Sequence, residues 1–234
     1  ISLEPFFLNF GIDINNTFSN CISLIVSCFF TVGNTNAMNW LDGLDGLASQ
    51  ISIVILSSLL ALSLSLGNQG DIVILCITMI GAIFAFLYQN HYPSTILMGD
   101  CGSNFIGFAI AAISTLLSNN IFIFETEKTN LHYYAPFFLL SVPLIDMCIV
   151  IISRIIKNSS PFKPDRSHLH FRILAIGFSY TKTVNLITLI CSLLSLIIFY
   201  FFNFNIIFLI KIFAIILIFK TFLSRRLMKK IFAS

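Results

Sequence analysis

LASQISIVILSSLLALSLSLG, residues 47–67, runs for twenty-one positions without a charged side chain. At about 1.5 Å of rise per residue, a helix of that length matches the roughly 30 Å hydrocarbon core of a bilayer. Six further apolar runs follow the same pattern, at about 18–38, 71–89, 104–118, 135–156, 183–202 and 205–223. The run at 104–118 is short for a span unless its helix begins inside the polar segment before it. The runs are solidly apolar rather than alternating, which excludes a β-barrel and leaves helices as the spanning element. The predicted fold is all-α: a polytopic membrane protein with about seven transmembrane helices, forming one domain over residues 1–234.

Composition agrees. The chain is 57% hydrophobic and only 10% charged, against about 25% charged in soluble domains. Mean hydropathy is +0.96. Too few polar residues remain to cover a soluble surface. Six cysteines, at 21, 28, 76, 101, 148 and 191, show neither metal-ligand nor redox spacing and read as small apolar packing residues. The opening ISLEPFF has no methionine, basic region or cleavage site, so it is not a signal peptide.

Lysine and arginine concentrate where the chain is expected to face the cytoplasm. One group runs from Arg154 through Lys157, Lys163, Arg166 and Arg172 to Lys182; a second is Lys220, Arg225, Arg226, Lys229 and Lys230. Two spans separate the groups, so both can lie inside. Only Lys128 and Lys211 fall elsewhere. Threading backwards puts NAMNWLDGLDG (36–46), NHYPSTILMGDCGS (90–103) and SPFKPDRSHLHFRIL (160–174) on that same side. The net charge of +3 is then a topology signal and not a nucleic-acid footprint.

Each segment carries chemistry. Asp42 and Asp45 lie three residues apart, on one face of a helical turn with Asn39. Carboxylates gathered at a membrane boundary need a cation or donors between them; a plain helix cap would use one Asp, not two Asp and two Asn. Asp100 sits in MGDCGS, a glycine-rich turn feeding a helix. Such a turn suits phosphate, and an Asp there requires a metal between them. Mg²⁺ fits, since it takes one or two carboxylates and fills its shell with phosphate oxygens and water. His168 and His170 are two apart, do not share a helix face, and lack the spacing of a zinc protease. With Asp165, Arg166 and Arg172 around them, they suit an anionic phosphate. Asp146 falls within the fifth run, either as a functional group or as a structural partner, for instance of Arg154.

NAMNWLDGLDGLAS, MGDCGSNFIGF, PLIDM and SPFKPDRSHLHFRI resemble, in order, the polyprenyl-phosphate N-acetylhexosamine-1-phosphate transferases, with the last segment closer to the GlcNAc branch. The resemblance runs from about Asn36 to Phe178. It implies transfer of an N-acetylhexosamine 1-phosphate, GlcNAc-1-phosphate in the first instance, from a UDP-sugar to undecaprenyl phosphate. UMP would leave, in the first membrane step of cell-envelope glycan synthesis. It implies Mg²⁺, with Mn²⁺ as a substitute, held by Asn39 and Asp100, and places the enzyme in the bacterial inner membrane. Asp42, Asp45, Asp100, His168 and His170 are the expected catalytic residues. Asn36, Asn39, Gly43, Leu44, Asp45, Asp165 and Arg166 are the expected substrate-binding residues, with Gly43, Leu44 and Asp45 at the uridine. The partners implied are the nucleotide sugar and the polyprenyl phosphate, with a second copy of the chain as a candidate and no nucleic acid.

Three departures accompany the resemblance. The family's Asp-Asp pair upstream of the first segment has no counterpart before Asn36, which predicts a chain lacking the family's N-terminal helices and inactive by itself. A third His after HLH is replaced by Phe171, and the usual aromatic before MGD is Leu97, with Tyr92 as a substitute stacking partner. A catalytically silent relative serving as scaffold, and a transporter, are the competing readings.

Overall fold

The computed structural model describes residues 17–67, 70–124, 132–161 and 166–222. They form α1 (Thr17–Leu41), α2 (Leu47–Leu66), α3 (Gly70–Asn90), α4 (Gly99–Phe124), a 3₁₀ turn at His132–Tyr134 leading into α5 (Ala135–Phe138), α6 (Ser141–Ile156), α7 (Leu169–Ala175), α8 (Tyr180–Phe201) and α9 (Ile206–Phe222). No strand occurs among the described residues. The apolar runs therefore fold as helices, and the chain is a multi-pass membrane protein.

The opening run, α2, is the central helix. Its most apolar window is 94% buried, against 22% for α3 and 28% for α8. It packs against α1, α3, α4, α8 and α9. Serines allow the close approach that helix packing in a bilayer favours. Buried Ser52, Ser57 and Ser58 return their hydroxyls to the carbonyls of Ala48, Ile53 and Val54, so no polar group is stranded. α1 and α4 cross most closely at Gly107, where an added Cβ would lie 2.8 Å from Thr35 Cα.

The count of seven spans is corrected. Among the described residues, five helices are long and apolar enough to cross a membrane, or six if α5 and α6 with the preceding turn are one span bent by 62°. The bend has a cause in the sequence. Pro143 has no N–H to offer Leu139 across the junction, and proline is tolerated only in a first helical turn. The run at 135–156 thus becomes two helices. The last run is helical over its described part, Ile206–Phe222. The fourth run does begin inside its polar segment, at Gly99.

Candidate active site

The C-terminus of α1, the N-terminus of α4 and the short α7 meet at one end of the bundle. Asn39, in the last turn of α1, donates from Nδ2 to Asp100 Oδ1 at 2.9 Å and to Ser103 Oγ at 2.9 Å. The first and second polar segments, sixty-one residues apart, are thereby joined. Asp42 follows in the turn after α1 and accepts the Gly99 N–H. Burial pushes the Asp42 carboxyl up to about 6, and repulsion from Asp45 and Asp100 adds to the shift, while the Gly99 bond opposes it.

Carboxylates that repel one another can share a cation. Among the described residues no three His, Cys, Asp or Glu side chains form a cage by themselves. Asp42, Asp100 and Asn39 are the residues that could hold an ion such as Mg²⁺ if substrate phosphate and water completed its shell. As folded, Asn39 turns its amide nitrogen to Asp100. It orients that carboxylate, and would offer oxygen to a metal only with the amide turned over.

The histidine segment closes the site. Asp146, buried in α6, accepts from His168 Nδ1 at 2.9 Å and from the Leu169 N–H at 2.8 Å. The carboxylate thus fixes the ring's tautomer and orientation. Arg154 is not the partner of Asp146. It lies 5.1 Å over the Trp40 ring and donates to the Pro161 carbonyl. His168 precedes α7 with extended backbone (φ −62°, ψ 152°). Outside the helix, the i, i+2 spacing puts both rings on one side, and His168 and His170 stack with centroids 5.6 Å apart and planes 12° apart. His170 is 0% exposed. Neither of its ring nitrogens has a hydrogen-bond partner. Burial, helped by His168 and opposed by Asp146, pushes it down to about 4. Its ring covers Gly43 so closely that a Cβ there would fall 2.3 Å from Nε2.

Residues 2–118, half of the chain, match the profile of Glycosyl transferase family 4. The chain belongs to that family.

Three relatives of this family member are informative. It is 36% identical over 172 residues to the probable undecaprenyl-phosphate N-acetylglucosaminyl 1-phosphate transferase of Bacillus subtilis, covering 73% of this chain and 46% of that protein. It is 34% identical over 182 residues to the decaprenyl-phosphate N-acetylglucosaminephosphotransferase of Mycobacterium tuberculosis H37Rv, with 71% and 44% covered. It is 33% identical over 169 residues to the undecaprenyl-phosphate alpha-N-acetylglucosaminyl 1-phosphate transferase of Escherichia coli K12, with 68% and 43% covered. The chain spans a little under half the length of these relatives.

Other expected residues fall into separate places. Leu44 is a core residue and can serve a ligand only through its backbone. Asp45 braces the 91–98 loop by accepting the Ser94 N–H at 3.0 Å. Asn36 is exposed and bonds back to the Val32 carbonyl of its own helix. Arg166 lines a different concavity, with Lys157 and Arg172. Asp165 lies outside the described residues. Leu97 is exposed, and Tyr92 stacks on Tyr180 at 5.0 Å. Asn90, at the end of α3, was not singled out by the sequence reading. Its Oδ1 accepts from Gly46 N and Ser49 Oγ, and its Nδ2 donates to the Ile96 carbonyl, tying all three elements together. An asparagine ending an apolar run is the signal that could have found it.

Proposed function

We propose that this chain carries the catalytic face of a UDP-N-acetylhexosamine:polyprenyl-phosphate N-acetylhexosamine-1-phosphate transferase, with UDP-GlcNAc as donor and undecaprenyl phosphate as acceptor. An acceptor phosphate oxygen attacks the β-phosphorus of the donor. The bond from that phosphorus to the bridging oxygen breaks, UMP leaves with the electron pair, and a lipid-linked pyrophosphoryl sugar forms. The names of the relatives favour this chemistry. The observation that carries it is the Asn39–Asp100 hydrogen bond beside Asp42, since phosphoryl transfer depends mainly on positioning and charge neutralisation.

Bound Mg²⁺, or Mn²⁺ in its place, would neutralise charge on the pyrophosphate. Asp100 and Asn39 would hold it, with Asp42 completing the acidic wall. The nitrogens of His170, buried and unpartnered against Gly43, would meet a donor oxygen only once the ring moves off that glycine. His168, oriented by Asp146, lies one stacked ring away. The backbone around Gly43 and Asp45 would receive the uridine. The site faces the cytoplasm from a bacterial inner membrane, in keeping with the basic residues that follow α6.

The test is UMP release from UDP-GlcNAc with undecaprenyl phosphate and Mg²⁺. It compares the 234-residue chain with the same chain carrying whatever coding sequence precedes it. Turnover in the extended form, lost with EDTA and in Asp100→Asn, is the expected result. An extended form that inserts in the membrane yet releases no UMP from any UDP-N-acetylhexosamine would overturn the reading.

A further inference from the structure

Beside α7 lies a second concavity, of about 510 Å³, lined by Ile149, Ser153 and Lys157 of α6, by Arg166 and Ser167 ahead of α7, and by Arg172 within it. Its volume is that of a small-ligand site. Three cations converge on it, and no carboxylate lines it among the described residues.

Its position separates it from the site above. On α6, residues 146, 150 and 154 form the buried stripe that meets His168 and Trp40. Residues 149, 153 and 157 form the next stripe round, toward α7. Beyond them Ile145, Ile152 and Ile156 stand exposed on the outer surface of the bundle. α1 is on the opposite flank, where Met147 approaches Gly33. Lys157 caps the C-terminal end of α6, which is the boundary of the bent span. The pocket therefore combines three basic groups with an apolar margin that runs into the lipid-facing side of the helix.

We propose that this pocket binds the head group of an anionic phospholipid, with its phosphate among Lys157, Arg166 and Arg172 and its acyl chains along Ile145, Ile149 and Ile152. A soluble anion would have no use for the isoleucine margin. A zwitterionic lipid would bring its own cation into a site that already holds three. Because the cations come from α6 and from both ends of the His168–His170 segment, a bound phosphate fastens that segment to α6. Anionic lipid thereby holds His170 against Gly43. The pocket would bind such a lipid whether or not the chain transfers a sugar phosphate.

Native mass spectrometry of the purified chain, titrated with phosphatidylglycerol and separately with phosphatidylcholine of identical acyl chains, tests this. One phosphatidylglycerol per chain is expected at concentrations where phosphatidylcholine is not retained. Each basic residue near a membrane surface contributes about fivefold in affinity. Lys157→Gln and Arg172→Gln should each weaken binding about fivefold, and the pair about 25-fold. Lys182→Gln with Lys211→Gln removes the same charge elsewhere and should change nothing. Lys157→Arg should bind as the native chain does, and the single variants carry the test if the pair unfolds. Equal retention of the two lipids, or undiminished binding in the Lys157 and Arg172 variants, would overturn the proposal. So would displacement of the lipid by glycerol 3-phosphate at matching concentration, which marks a soluble-phosphate site. Displacement by an equimolar amount of undecaprenyl phosphate would overturn it too, because the pocket would then serve the acceptor.

Discussion

Replacing Gly43 by alanine should dislodge His170. The added Cβ would lie 2.3 Å from Nε2, 3.0 Å from Cε1 and 3.2 Å from Cδ2. Heavy atoms settle at about 3.5 Å, so the ring must withdraw by about 1 Å. It has no solvent to enter, being 0% exposed. His168 stacks at 5.6 Å and Phe171 lies at 4.2 Å. The displacement therefore passes to α7 as a body and pulls on the 2.9 and 2.8 Å bonds to Asp146. Overpacking of this kind costs about 1–3 kcal/mol. Amide exchange across residues 169–175 should accelerate by about 5–150-fold for that loss. In the extended form, UMP release should fall by about 10²-fold, the usual consequence of a 1 Å misplacement. The decisive assay is the cycle with His170→Ala. Without the ring, the three atoms nearest the methyl group are gone, and Gly43→Ala should add little further effect on exchange. Exchange in the single variant within twofold of native, or simple additivity in the double variant, would refute the claim that Gly43 exists to seat His170.

Two titrations should oppose each other. Protonated Asp42 contributes stability that is present below its ordinary value of 3.8 and is lost as pH rises through about 6; neutral His170 contributes stability present above 6.5 and lost as pH falls through about 4. Thermal melts at pH 4.5 and pH 6 should therefore show Asp42→Asn gaining stability with pH and His170→Leu losing it, with the native chain flatter than either. Asp146→Asn removes the carboxylate that orients His168 and should lower turnover by about 10–100-fold in the extended form, with an altered pH profile and an unchanged helix signal. Gly107→Ala forces a Cβ to 2.8 Å from Thr35 Cα and 3.0 Å from the Asn34 carbonyl, so unfolding in detergent should come about 1–3 kcal/mol more easily. Gly81→Ala, which meets nothing within 4 Å, is the control that should be neutral or better.

Helices were legible because a bilayer demands them: an uncharged run of twenty residues has no other way to satisfy its backbone. What hydropathy could not register is a missing donor inside such a run. Pro143 leaves mean hydropathy almost untouched yet removes one hydrogen bond, and the span breaks just before it, at Leu139–Leu140, by 62°. The site divides along a similar line. Asn39, Asp42 and Asp100 stand out in the sequence because polar side chains at the ends of apolar runs have few structural uses. Their joining through Asn39 Nδ2 is the packing of α1 on α4, which no local pattern encodes. The histidines do not share a helix face, as their spacing implies; their stacking comes from His168 lying one residue before the helix. Asp146 was read with Arg154 as one possible partner, eight residues on along the same helix, whereas it turned to a side chain twenty-two residues away. Two hydrogen bonds, from His168 Nδ1 and from the Leu169 N–H, hold the start of α7 to Asp146, while Arg154 stays at Trp40. A contact between segments so far apart in the chain is set by tertiary packing, which the spacing of acids and bases along one helix does not encode.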